Sequence, residues 1–236
     1  MDFNTVYKKR LAYINKGLDT LLMSRESHPA VLRAMEYSLL AEGKRLRPVL
    51  FLSAYELAYL YDNKQKKAVP ESELDFILPM ACAIEMIHNY SLIHDDLPAM
   101  DNDDYRRGKL TNHKVFGEAA AILAGDGLLN LAYEVMLENI LDYPQSLSHY
   151  IKAMAVIAYS AGISGMIGGQ SADMENQSEG NEEEVLNYIH THKTEALITA
   201  SLKAGVLAYR EEPKILNAVT GYGKALGLAF QITDDI

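Results

Sequence analysis

Residues Phe76 to Asp104 read FILPMACAIEMIHNYSLIHDDLPAMDNDD, and the reading of this stretch decides the fold. From Phe76 to His94 it holds a single charged side chain, Glu85. A helix built from these residues is apolar nearly all round and belongs at the centre of a bundle. It nevertheless carries His88, Asn89 and Ser91. Polar groups in a buried helix need bonding partners or a cavity to line. Directly after it come five carboxylates in ten residues, Asp95, Asp96, Asp101, Asp103 and Asp104, and then Arg106 and Arg107. Crowded carboxylates repel one another unless a hard cation neutralises them, and oxygen-rich sites of this kind suit Mg²⁺. On a straight helix Asp95 and Asp101 point about 240° apart. Pro98 can interrupt the helix and turn both toward one ion. His88 lies seven residues before Asp95, so the two share a face, with Ser91 between them.

Outward from this stretch the pattern stays helical. The chain has 236 residues, 49% hydrophobic and 23% charged, which are ordinary globular fractions and exclude a disordered chain. Prolines at 29, 48, 70, 79, 98, 144 and 213 mostly separate long stretches of helical periodicity. Helices are expected near 4–23, 28–42, 48–62, 73–95, 115–141, 145–168, 182–209 and 213–234. Ser72, Asn181 and Pro213 read as start signals. With no linker, repeat or strand pattern, the expectation is one all-α domain, a bundle of helices over residues 1–236.

The net charge of −10 argues against nucleic acid as a partner, so an anionic ligand must be met by local cations or bound metal. Cys82 is the single cysteine, and nothing requires an oxidising compartment. The uncharged run from Ala153 to Ala172 has membrane-spanning length, but its glycines, serines and Gln170 favour a buried helix, and no membrane span is expected. Between two expected helices, Glu42-Gly43-Lys44-Arg45-Leu46-Arg47-Pro48 gathers three cations in a turn suited to a phosphate group. Asp234 and Asp235 end another helix, within one turn of Gln231. Two acidic helix ends, basic clusters and a buried polar stripe together suggest a cavity that binds diphosphates through Mg²⁺. Nucleophile-elbow, Walker and dinucleotide fingerprints are absent from the sequence, as is zinc-ligand spacing.

These segments resemble the trans-polyprenyl diphosphate synthase family, and within it the bacterial farnesyl diphosphate synthases. The resemblance is carried, in order, by Gly43 to Pro48, Ile84 to Asp101, Arg106 to Lys109, Gly168-Gly169-Gln170, Lys193-Thr194, and Phe230-Gln231 through Asp234-Asp235. It implies an antiparallel helical bundle around a central cavity (the isoprenoid synthase fold), a cytoplasmic homodimer, and Mg²⁺-dependent condensation of isopentenyl diphosphate with allylic diphosphates. By the same resemblance Asp95, Asp101 and Asp234 bind Mg²⁺. Arg106, Lys193, Thr194 and Gln231 meet the allylic diphosphate, the last three facing its reacting carbon. Lys44, Arg47, His88 and Arg107 hold isopentenyl diphosphate. Tyr90 and Ser91 form the floor that sets chain length, and the aromatic points to a C15 product. Five residues are about 7.5 Å of helix, a depth at which Tyr90 can stop a growing chain.

The sequence also departs from the family. It ends at Ile236, inside the second acidic motif, so the family's C-terminal part is expected to be missing from it. Glu195 stands where the family has glycine, Leu110 where it has proline and Gly127 where it has alanine. Three competing readings fit the sequence less well. A regulatory subunit of a heteromeric synthase predicts damaged acidic motifs, whereas the first is intact. A class I terpene cyclase binds one diphosphate and leaves Lys44, Arg47 and His88 unexplained. A plain helical interaction module leaves the buried polar stripe and both acidic helix ends unexplained.

Overall fold

The structure, a computed structural model, describes residues 2–143, 146–176 and 182–234, the side chains of 176, 182–183 and 231–234 excepted. The all-α expectation holds. The helices are α1 (Phe3–Met23), α2 (Pro29–Leu39), α3 (Leu46–Asp62), α4 (Glu71–Asp95), α5 (Asn112–Phe116), α6 (Glu118–Asp142), α7 (Leu147–Ala161), α8 (Met166–Asn176), α9 (Glu182–Ile189), α10 (Ala196–Tyr209) and α11 (Pro213–Asp234). A π-helical segment, His190–Glu195, joins α9 to α10. The backbone forms two compact units, one of Met1–Val49 with Leu78–Leu141, the other of Leu50–Ile77 with Asp142–Ile236.

In the first unit α1 buries Ile14, Leu18 and Leu22, spaced one turn apart. The expected central helix is observed: Ala81 to Ile87 of α4 are all buried, Glu85 included. Gly17 admits α4 closely, since a Cβ there would lie 3.0 Å from both the Cys82 sulfur and Leu78. Asn112 ties α5 to α2 by donating to the Ala34 carbonyl at 2.7 Å and the Ser38 hydroxyl at 2.8 Å. A small antiparallel hairpin, β1 (Tyr105–Arg106) and β2 (Lys109–Leu110), was not expected. Its two-residue turn puts Arg107 at φ 52° and Gly108 at φ 75°, the left-handed pair that matches strand twist.

In the second unit α10 is nearly all buried, from Leu197 to Ala208, and packs against α7 and α11. Tyr209 at its end meets Tyr55 and Tyr59 edge-on, at 5.7 and 5.4 Å. Phe76 lies between the rings of Tyr143 and Tyr150.

Several boundaries differ from expectation. The apolar run over 153–172 is not one buried helix, because Gly162 leaves the helical region and residues 162–165 form a turn between α7 and α8. Ile151, Tyr159, Ile163 and Ile167 along it are exposed. Among the described residues three helical stretches are long and apolar enough to cross a membrane by length and composition: Glu71–Asp95, Glu118–Asp142 and Leu147–Glu175, with 72%, 44% and 28% of the apolar window buried. Expected helix 115–141 starts earlier and is cut at Gly117, whose φ is 86°. Ser72 is no cap, since α4 already begins at Glu71, whereas Pro213 does open α11. Asn181 lies outside the described residues.

Gly205 of α10 faces the Phe51 carbonyl of α3 so closely that a Cβ would collide with backbone. Gly205→Ala is therefore expected to lower stability by about 1–3 kcal/mol. A lower urea midpoint at unchanged slope is the readout.

Candidate active site

The turn Glu42 to Arg47 takes its shape from Arg45, which has φ 45° and a side chain 2% exposed. Its guanidinium donates to Glu85 at 2.9 Å, the Asn15 side chain at 3.0 Å, and the Leu39 and Ala41 carbonyls at 2.8 and 2.7 Å. Those carbonyls belong to the end of the expected 28–42 helix, which stops at Leu39 as they turn to the guanidinium instead. The three-cation reading of the turn is thus corrected: Arg45 is buried and paired.

Around the turn stand the residues expected to hold isopentenyl diphosphate. Arg47 Nη1 lies 3.2 Å from His88 Nε2. Arg107 donates to the Glu42 carbonyl at 3.2 Å and covers Gly43, where a Cβ would meet its guanidinium at 2.7 Å. The Lys44 carbonyl is bonded by the Tyr7 hydroxyl. Burial drives the His88 pKa well below its usual value, and the charges of Arg47, Arg107, Arg106 and Arg45 push it the same way. His88 is therefore neutral at physiological pH and accepts from Arg47. Arg47 Nε is buried with no hydrogen-bond partner among the described residues. This cluster of guanidiniums is set up to receive an anion.

The first acidic motif begins at the end of α4. Helix α4 stops at Asp95, and a tight turn through Pro98 lets the Asp101 N–H donate to the Asp95 carbonyl at 2.9 Å. Asn102, at φ 54°, closes the turn on the Leu97 carbonyl at 3.1 Å. Asp96 faces elsewhere, 3% exposed and bound by Arg106 at 2.6 and 2.7 Å. Burial raises the Asp96 pKa against that pairing. Asp95 and Asp101 are the two motif residues whose backbones this turn joins. Among the described residues no three His, Cys, Asp or Glu side chains gather to hold an ion alone. Hard oxygen donors in a pair fit Mg²⁺, which binds one or two carboxylates and fills its shell with substrate phosphate and water.

Tyr90 is buried and meets the His94 ring edge-on at 5.7 Å, and its pKa rises to about 12 through burial, Tyr133 on α6 and Asp95. His94 in turn bonds the Ile122 carbonyl at 3.1 Å and fills the space that a side chain at Gly125 would need. Ser91 turns back to the His88 carbonyl at 3.0 Å.

In the second unit Lys193 and Thr194 sit in the π-helical segment, a local widening that often marks functional positions. Gly169 of α8 lets that segment approach, since a Cβ would strike the Lys193 nitrogen and stand 2.8 Å from the His192 carbonyl carbon. Lys193 is paired with Asp173 at 2.6 Å. The Glu195 stem rests against Gly227 of α11, and burial raises its carboxyl pKa while Lys224 and His192 oppose the shift. The Gln231 and Asp234 side chains, and Asp235 altogether, lie outside the described part of the structure.

Sequence reasoning missed Asn15, Asp96 and Asp173, and it took Glu85 only as a lone charge. Glu85 did carry a signal, because a carboxylate in a buried helix demands a cation and the basic turn supplies one.

The model of the polyprenyl synthetase family matches residues 28–236. A farnesyl diphosphate synthase of Geobacillus stearothermophilus is 48% identical over 215 residues, covering 91% of this chain and 68% of its own. A geranylgeranyl diphosphate synthase of Cyanophora paradoxa is 45% identical over 204 residues, covering 86% and 63%. The crystal structure of a geranyltransferase from Legionella pneumophila superposes with a TM-score of 0.86 at 40% identity, covering 98% of this chain and 78% of that one. The chain spans between 55% and 68% of the length of the curated relatives it matches.

Because the His88 pKa is lowered in the native state, the unfolded chain takes up more protons below about pH 6.5. That part of the stability is complete above the unfolded value and is lost as pH falls toward the folded one. Urea midpoints measured between pH 5 and 7.5 should fall on acidification, and His88→Gln should flatten the fall.

Proposed function

The chain belongs to the polyprenyl synthetase family, and we propose that it serves a Mg²⁺-dependent farnesyl diphosphate synthase, joining isopentenyl diphosphate to dimethylallyl and then geranyl diphosphate. The observation that carries this reading is the cluster of Arg47, Arg107 and neutral His88, with an unpartnered buried donor on Arg47. Such a cluster needs a polyanion, and a chain of net charge −10 does not gather one by accident. We assign Lys44, Arg47, His88 and Arg107 to isopentenyl diphosphate. Arg106, Lys193, Thr194 and Gln231 are assigned to the allylic diphosphate. Asp95, Asp101 and Asp234 are assigned to Mg²⁺, which when bound supplies Lewis-acid stabilisation of the departing diphosphate.

In this reading the allylic carbon–oxygen bond breaks and the diphosphate leaves with both electrons. The double bond of isopentenyl diphosphate attacks the resulting cation, and a proton then passes to the released diphosphate. Arg106 and Lys193 place fixed positive charge where negative charge develops. The Thr194 hydroxyl and the Lys193 carbonyl are assigned to stabilising the cation through their negative ends, and Gln231 is assigned to the same task. Exclusion of water keeps that cation from being quenched to an alcohol.

Tyr90 favours C15 as the product, its ring held by His94 below the acidic motif. A C20 product is the second reading, favoured by the relative named as a geranylgeranyl diphosphate synthase. We further propose that the enzyme works in the cytoplasm as a homodimer.

The test is incubation of the full-length protein with labelled isopentenyl diphosphate and dimethylallyl diphosphate, followed by chromatography of the dephosphorylated products. A C15 alcohol that disappears on chelation of Mg²⁺ is expected; a C20 alcohol would select the second reading. Asp95→Ala should lower turnover by about a hundred- to a thousandfold, as is usual for loss of one electrostatic contact, with helical circular dichroism intact. Tyr90→Met should lengthen the products, and unchanged length would move the floor elsewhere.

A further inference from the structure

Four of the five N–H donors of Arg45 are engaged, and their acceptors come from three helices and one turn. Asn15 is on α1, Glu85 on α4, Leu39 ends α2, and Ala41 begins the turn that leads into α3. Arg45 pays for this position with a left-handed backbone, at φ 45°, that a residue other than glycine seldom adopts. Glu85 is held in turn, its Oε1 taking Arg45 at 2.9 Å and the Asn89 amide at 3.4 Å. Both side chains of the pair are 2% exposed.

Stability alone does not account for such a pair. A buried ion pair is often replaced by apolar residues at no loss, because desolvation offsets the attraction. What apolar residues lack is direction. Arg45 stands two residues before Arg47, and Glu85 one helical turn before His88 on the same face of α4. Bonding Arg45 to Glu85 therefore sets the start of α3 against α4 in the register that leaves Arg47 Nη1 3.2 Å from His88 Nε2. The same turn presents Lys44, and its Glu42 carbonyl receives Arg107. All four residues assigned to isopentenyl diphosphate thus hang on one turn and one helix face that this pair joins.

We propose that the buried Arg45–Glu85 pair is the positioning device of the isopentenyl diphosphate site, touching no substrate itself and fixing the relative placement of Lys44, Arg47, His88 and Arg107. The proposal rests on the assignment of that site given above. It predicts a selective defect, in which affinity for isopentenyl diphosphate falls while the allylic substrate and the chemistry are unaffected.

The experiment replaces both charges at once, Arg45→Met with Glu85→Leu, in the full-length protein. The double variant should keep its helical circular dichroism, with a lower thermal midpoint because the Asn15, Leu39 and Ala41 acceptors lose their donor. Its KM for isopentenyl diphosphate should rise at least about tenfold, as expected when ligands to one group are misplaced by an ångström or less. KM for geranyl diphosphate and kcat at saturation should stay within about threefold, since no group that meets the transition state is removed. Glu85→Gln, which keeps an acceptor for Arg45, should restore the KM. A folded double variant with an unchanged isopentenyl diphosphate KM overturns the proposal. If the double variant does not fold, Arg45→Lys takes its place, because it keeps the charge and loses the fork to Leu39 and Ala41; a folded Lys variant with unchanged KM overturns the proposal equally. Calorimetry with isopentenyl diphosphate alone separates the two readings. Wild-type binding without turnover defeats the proposed reaction but leaves the positioning claim to be read from variant affinities, and no wild-type binding defeats both.

Discussion

A helix buried on nearly every side cannot carry polar side chains unless each is answered by its surroundings, and α4 carries Glu85, His88 and Asp95 along one face. The answers differ down the helix. Glu85 meets a buried guanidinium, His88 stays neutral and accepts from Arg47, and Asp95 comes at the helix end, where the backbone turns to bring Asp101 beside it. A neutral imidazole among four guanidiniums is a consequence of that burial, with the four positive charges acting in the same direction. Scarcity of compensating charge is what supports the anion-binding role proposed for the cluster.

Backbone strain is placed where side chains have to be aimed. Arg45, Asn102 and Arg107 are the described non-glycine residues with positive φ, and they flank the basic turn, close the acidic turn and form the hairpin tip. Each sits in a turn held by several hydrogen bonds, which supply the stabilisation that the left-handed conformation costs. In the second unit the device is different. The chain widens into a π turn at Lys193 and Thr194, and Gly169 gives up its side chain so that α8 can lie against it. Glycine serves there as space, its φ being unremarkable, which explains why Gly168-Gly169-Gln170 can be read as a motif from sequence although no turn lies there.

The helical class, the central position of Phe76–His94 and the turn that joins Asp95 to Asp101 were all legible from periodicity and from Pro98. Elements below the length at which periodicity registers were not. The two-residue strands of the hairpin, the five-residue α5 and the six-residue π segment each depend on a local left-handed residue or a close glycine contact. Arg45 was misread for a related reason: a cation in a polar turn looks solvated until the fold brings Glu85, forty residues away, against it. Composition also misled over 153–172, where the uncharged run suggested one buried helix but glycines and Ser164 favoured a turn, leaving apolar side chains such as Ile163 exposed.

Arg106 and Arg107 show how neighbouring residues of one type can be given opposite tasks. Arg106 is in β1 and pairs with Asp96, so that one carboxylate of the crowded motif is compensated within the protein. Arg107, one residue on, lies in the left-handed tip of the hairpin, which turns its side chain to the opposite side and onto the Glu42 carbonyl of the basic turn. The type of turn separates the two guanidiniums: a continued strand would also alternate them, but only the tight turn ends the strand at once and leaves Arg107 free of a ladder. With Asp96 satisfied by Arg106, one of the crowded charges at the end of α4 is compensated within the protein. The hairpin residues Arg106 and Arg107 thereby bond both the acidic motif and the basic turn.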